Sequence, residues 1–334
     1  MINNIIKTFM KIIKSSVEIL PQESGVVGML KHIERIGRIA YKSEDKITDD
    51  SYIKFIDMLK NRGHWAVFDS GTVYMIVPRG VSWIKEIIEN PYSRVRKDLN
   101  PSKDRYFVTT NCRVVLKLGI PLEDIKKYWA DPNKDSRFYK RVTSHWICSR
   151  GVSHELVRHR VFSFLQESQR YVNYSKDRFG GEITYIIPQW IYRVREDIGN
   201  TIDSQTGLSR NYILSLDGQE LVEDLAAWDR TVAARYNTWK AIEDEYIYET
   251  TTDEGEHLKP EEARGILCND VKTELCITGY LEDYIKYPNK NSTEKEGFFY
   301  LRTAKDAHPD LRVLAIDLEN QFYSYGLLQG DCCG

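Results

Sequence analysis

No stretch of this 334-residue chain approaches the ~18 to 20 consecutive apolar residues that a membrane span needs. The opening segment does not read as a secretory signal either. Lys7, Lys11 and Lys14 are scattered through it, and it lacks an uninterrupted apolar stretch with a small-residue cleavage site. An excess of one charge is also missing. The 47 Lys and Arg against 49 Asp and Glu give a formal net charge of −2, which removes the global electrostatic case for a nucleic-acid coat or a polybasic membrane binder. Any anion bound here has to be met by a local cluster of arginines. Cysteine is sparse: Cys112, Cys148, Cys268, Cys276, Cys332 and Cys333 form neither a C-x-x-C pair nor a regular framework. Reduced thiols in a cytoplasmic setting are expected, with no zinc site.

The common catalytic and phosphate-binding signatures are absent too. There is no G-x-x-x-x-G-K-[ST] loop, no G-x-G-x-x-G and no G-x-S-x-G elbow. His154-Glu155-Leu156-Val157-Arg158-His159 resembles a zinc-protease helix, but its histidines are one residue too far apart. A five-residue step turns the second imidazole roughly 140° away from the first.

What is present is mostly helical patterning. Val26, Leu30, Ile33, Ile36 and Ala40 after Ser24 predict an amphipathic helix of about 17 residues. A second helix is expected from about Asp50, with Gly63 just past its end. Strand composition marks 72–77, 105–110, 113–116, 141–148 and 271–278, while 91–104 reads as an exposed polar loop. Short helices are expected after Pro121, from Ser153 into Arg158, and after Pro260. The segment 219–249 predicts one long helix whose stripe of Leu221, Leu225, Trp228, Val232, Tyr236 and Trp239 is core, and 309–328 predicts a last one. The expected class is α+β: one compact domain over 1–334, with a modest antiparallel or mixed sheet flanked by long helices.

One segment does not read as structural. Arg158, His159, Arg160, Ser163, Gln166, Ser168 and Arg170 fall within thirteen residues, interleaved with Phe162 and Phe164 and closed by Tyr171. A solvated basic face is the plain reading. Against it, apolar chain flanks the segment on both sides, and arginines bunched with serines and a glutamine supply the planar donors that phosphate and a pyrimidine edge require. A nucleotide- or RNA-binding module, with the aromatic residues as stacking platforms, would use the same set without catalysis.

Arg158-His159-Arg160, seven residues, then Ser168 with Gln169-Arg170-Tyr171 resembles the R-H-R-x7-S signature of the flavin-dependent thymidylate synthases (ThyX). Gly63-His64 with Phe68-Asp69 is similar to the family's flavin segment, and Ala263-Arg264 and Phe298–Arg302 are similar to its two later arginine motifs. The resemblance implies conversion of dUMP to dTMP, with a methylene from methylenetetrahydrofolate and a hydride from FAD reduced by NADPH, in a cytoplasmic homotetramer with shared active sites. It implies FAD contacts for His64, Asp69, Arg158, His159, Arg160 and Gln166. For dUMP it implies Glu155, Arg158, Gln166, Ser168, Gln169, Arg170 and Arg264, with Arg302 at the uracil edge as the catalytic residue. No metal and no cysteine nucleophile are implied. Ala66 stands where a Thr or Ser often meets FAD, and Leu165 replaces a frequent polar residue. Against the family pattern, about 91–129 and 285–295 are insertions.

Overall fold

The computed structural model describes residues 10–100, 102–168, 173–176, 182–191, 219–251, 257–285 and 297–328. Two short strands come first, β1 (Lys11–Ile13) and β2 (Ser16–Ile19). They are followed by helices α1 (Gly25–Tyr41) and α2 (Ser51–Asn61). Strand β3 (Thr72–Pro78) and helix α3 (Ile84–Glu89) lead to β4 (Arg94–Lys97) and β5 (Arg105–Asn111). Helices α4 (Cys112–Lys117) and α5 (Leu122–Tyr128) precede β6 (Arg141–Ser149), α6 (Arg150–Leu156) and β7 (Ser163–Gln166). Strands β8 (Thr184–Ile186) and β9 (Lys272–Tyr280) complete the set.

The class is α+β, but the sheet is divided into three. A four-stranded antiparallel sheet runs in the order β2-β6-β9-β7, β3-β5-β4 form a second antiparallel sheet, and β1 pairs with β8 in parallel. The β6–β9 pairing is the longest, unbroken from Arg141 opposite Tyr280 to Ser149 opposite Lys272. β6 and β9 are buried along nearly their whole length because helices cover both faces, so polar residues such as Thr143, Ser144, Thr273 and Thr278 are buried along with the apolar ones. The Phe298–Arg302 and Pro309–Ser324 helices pack on one side, joining Trp146, Leu275 and Ile277 to Phe298, Leu314 and Phe322. Gly279 on β9 makes room for the ring of Phe162: a Cβ built on it would lie 2.0 Å from that ring.

The α1 and α2 helices and β3 follow the sequence reading closely, including the left-handed Gly63 beyond α2 (φ 69°). Four expectations are corrected. Residues 113–116 are helix, because the Asn111 side chain accepts a hydrogen bond from Val114 N (2.9 Å) and caps α4 over its β-branched residues. The 91–104 loop contains β4, registered against β5 from Arg94–Thr109 to Lys97–Tyr106. Ser149, not Ser153, caps α6, which ends before Arg158. The long helix breaks into Gln219–Ala226 and Arg230–Thr251, where Asp229 Oδ1 accepts from Thr231 N and Val232 N. The break leaves Trp228 half exposed, although Leu221, Leu225, Val232, Tyr236 and Trp239 are buried as the stripe requires. The proposed insertion at 285–295 falls, beyond Ile285, outside the described residues. Among the described residues no helix is long and apolar enough to cross a membrane, and no group of three His, Cys, Asp or Glu could hold a metal ion.

Glu243, on the Arg230–Thr251 helix, is buried and accepts a hydrogen bond from Ile183 N at 3.0 Å. Burial raises its pKa from 4.5 to about 7, partly opposed by the Ile183 bond. The folded state therefore holds a proton that the unfolded chain gives up earlier. This carboxyl's stability contribution is full below pH 4.5 and is lost as pH rises through 7. Glu243→Gln is expected to melt above the wild type at pH 8, with the gap closing by pH 4.5; thermal melts with an equal gap at both values would contradict this assignment.

Candidate active site

A cavity of about 460 Å³ lies where four parts of the chain meet. The end of α1 supplies Ala40 and Tyr41. The turn after α2 and the one-turn helix Trp65–Asp69 supply Gly63, His64, Trp65, Ala66 and Val67. Arg113 comes from α4, and Leu165, Gln166 and Ser168 come from the end of β7 and the residues just beyond it. The volume lies within the ~300 to 1,000 Å³ of small-molecule sites, and the lining is apolar and aromatic with a few convergent polar groups. His64 Nδ1 is hydrogen-bonded to the Tyr41 hydroxyl across the mouth. The Gln166 amide donates to Ser153 Oγ and to Thr273 Oγ1, each at 3.1 Å, which fixes it against α6 and β9.

On the other side of α6, Arg302 joins two further site residues. Its Nε donates to His159 Nε2 at 2.7 Å and its Nη1 to Glu155 Oε2 at 3.0 Å. A long bond runs from Nη2 to the Glu155 carbonyl at 3.4 Å. An imidazole that accepts at Nε2 is neutral there and carries its proton on Nδ1. Burial, and then the Arg302 charge, lower the His159 pKa from 6.5 to about 4. The bonds to Glu155 and His159 use three of the guanidinium's five N–H donors, so two remain for a ligand.

The structure does not gather every expected residue into one place. Glu155 lines a separate cavity of about 390 Å³ with Ser149, Asp270 and His308. Arg160 lines a third, of about 220 Å³, with Arg94, Arg141 and Tyr280. Arg158 and Arg264 are exposed and border none of these cavities. Asp69 pairs with Arg113 at 3.1 Å, and so reaches the first cavity through that arginine. Gln169 and Arg170 lie outside the described residues. Sequence reasoning missed Tyr41, Trp65 and Arg113. Trp65 and Tyr41 sit at the ends of helices where periodicity stops being informative, and Arg113 lay in a segment whose composition is that of a strand.

Cys112, Cys148 and Cys276 are buried, and burial raises each thiol pKa, for Cys112 to about 12. Removing the neighbouring cation gives a direct check on the His159 assignment. In Arg302→Gln the imidazole is expected to titrate above about 4 but still below 6.5, because burial, the larger cause, remains. Ring-proton NMR that finds no change would separate the two groups.

The model of the family described as "Thymidylate synthase complementing protein" (Thy1) matches residues 140–324. A flavin-dependent thymidylate synthase of Pyrococcus furiosus is 28% identical over 170 residues, which are 50% of this chain and 48% of that protein. One from Pyrococcus abyssi is 45% identical over 49 residues, 15% and 19% of the two chains. The match thus spans about half of the first relative's length and about a fifth of the second's. Among solved structures, the UMP/dUMP methylase PolB of Streptomyces cacaoi bound to 5-Br dUMP is 12% identical with a TM-score of 0.36, covering 95% of this chain and 93% of that one. ThyX of Helicobacter pylori with FAD and dUMP is 18% identical with a TM-score of 0.26, over 54% and 66%. With the family model covering more than half of its length, from the start of the central strand pair to the last helix, the chain belongs to the Thy1 family of thymidylate synthase complementing proteins.

Proposed function

We propose that this protein is a flavin-dependent thymidylate synthase that methylates dUMP to dTMP. Methylenetetrahydrofolate is the carbon donor, and the hydride comes from FAD that NADPH reduces. The observation that carries the reading is the cavity of about 460 Å³, which joins His64 of the first motif to Gln166 and Ser168 of the second across a long stretch of sequence. The residues fit a flavin: Ala66, Val67 and Leu165 give an apolar wall, Tyr41 and Trp65 give aromatic faces, and His64, Arg113 and Gln166 supply polar groups. Ala66 and Leu165, which depart from the family pattern, thereby contribute surface in place of hydrogen bonds. Bound there, FAD supplies the hydride chemistry that no side chain can.

The protein's own residues then bind, orient and polarise. Arg302, aimed by Glu155 and His159, has donors to spare for the edge of a pyrimidine, where it would stabilise negative charge developing on the ring. A neutral His159 accepts from that guanidinium without competing with it for negative charge. Ser168 serves as a nucleotide ligand. Arg158, Arg170 and Arg264 are assigned to ligand phosphates and rings, with Arg264 reaching a neighbouring subunit's site in a homotetramer, and Arg160 to flavin from the side of the smaller cavity. A single domain working in the cytoplasm completes the reading. The RNA-binding alternative loses one of its platforms: Phe162 is buried on Gly279 and packed against Tyr284 in a tilted pair, with ring centroids 4.5 Å apart.

Purified protein supplemented with FAD and desalted is expected to keep its visible flavin bands, and dUMP is expected to shift them. Loss of the flavin together with silence towards dUMP would overturn the proposal. No cysteine is assigned a bond to the nucleotide, so Cys148→Ala is expected to leave turnover largely intact. A flavin-loaded variant without turnover would restore a nucleophilic role to that thiol.

A further inference from the structure

Glu167 lies between two cavity residues, Gln166 and Ser168, yet is not part of the lining: its carboxylate is turned to Lys42 and Lys272 instead. Its amide continues the β7–β9 ladder by donating to the Glu274 carbonyl at 2.8 Å. The Glu167 side chain is only 1% exposed, and its Oε2 has no hydrogen bond of its own. It faces two ammonium groups instead, Lys42 Nζ at 3.5 Å and Lys272 Nζ at 3.3 Å. Both lysines also pair with Glu274, whose other oxygen is hydrogen-bonded to His145 Nε2 at 3.0 Å. Two partly buried cations and two buried carboxylates therefore alternate, and each is costly to leave alone.

Lys42 is the second observation. It is the C-cap of α1, immediately after Ala40 and Tyr41 of the opposite cavity wall, and its φ is 50°. Among the described residues it alone, apart from glycines, has a positive φ. Glycine is the ordinary occupant of such a position, so a lysine there accepts backbone strain and brings an ammonium to Glu167.

We propose that Glu167 is a positioning residue: through Lys42 and Lys272 it locks the Gln166–Ser168 edge against the end of α1 and so sets the width of the ligand cavity. The role in turnover rests on the thymidylate synthase reading; the lock itself does not. Breaking it removes nothing that touches a ligand but lets two walls drift.

The test uses full-length Glu167→Gln, Lys42→Gly and Lys42→Arg. In the first two, hydrogen exchange is expected to accelerate together at 163–168 and 38–42. Both are expected to raise KM for dUMP about tenfold with kcat within about threefold of wild type, since small misplacement of a binding group costs this much or more. Lys42→Arg keeps the cation and is expected to restore KM. Unchanged exchange in both broken variants overturns the lock whether or not the protein turns over. Faster exchange with wild-type KM and kcat reduces the network to a structural tie and overturns the positioning role. Wild-type protein that binds neither FAD nor dUMP removes the functional reading, while the exchange data still decide the lock.

Discussion

The pairing of β6 with β9 is the constraint on which the site depends. Its nine consecutive partners leave no freedom to slip, because a one-residue shift would turn every buried side chain of both strands to the wrong face. From one end of that register the chain runs through Ser149 into α6, which carries Ser153 and Glu155 and delivers His159 just beyond its last turn. Thr273 and Glu274 sit near the same end of β9, where β7 adds as the edge strand and brings Gln166 into reach of Thr273. The two arginine-binding and amide-binding centres are therefore fixed relative to one another by backbone hydrogen bonds and do not rely on long side chains finding each other.

Electrostatics divides the site into two regimes. Around Arg302 the guanidinium is paired with Glu155 but keeps open donors, with a neutral imidazole beside it. Behind Glu167 the charges cancel. Burial works against Glu274, yet His145, Lys272 and Lys42 hold its carboxyl well below the usual range. Lys272 is likewise held above its ordinary value by Glu167 and Glu274 although burial opposes it. One region keeps donors open, and the other spends both its charges and its donors on the protein itself.

Much of this was legible in the sequence where local physics decides the outcome. The stripe from Val26 to Ala40 gave α1, and the Arg158–Ser168 spacing marked the segment that holds His159, Gln166 and Ser168. Most of the failures come from side chains that act on nearby backbone. Asn111 turned a β-branched run into α4, and Asp229 cut a long amphipathic pattern in two. The Glu155–Arg302 and Glu167–Lys42 contacts join residues more than a hundred positions apart, and neither pair carries a periodicity or motif of its own. Arg158 and Arg264, expected from the resemblance, face solvent in the isolated chain, and residue identity alone does not say which surface a side chain meets.

The packing of Phe162 on Gly279 has a consequence for heredity. The loop bearing His159 and Arg160 is pinned because Phe162 packs against bare backbone, where even a methyl group has no room. A lineage that drifted to alanine there would have to move the loop or lose the phenylalanine, and either change displaces His159 and Arg160. The place of that loop thus depends on a glycine that lines the smaller cavity, and a side chain at 279 is admissible only if Phe162 changes with it.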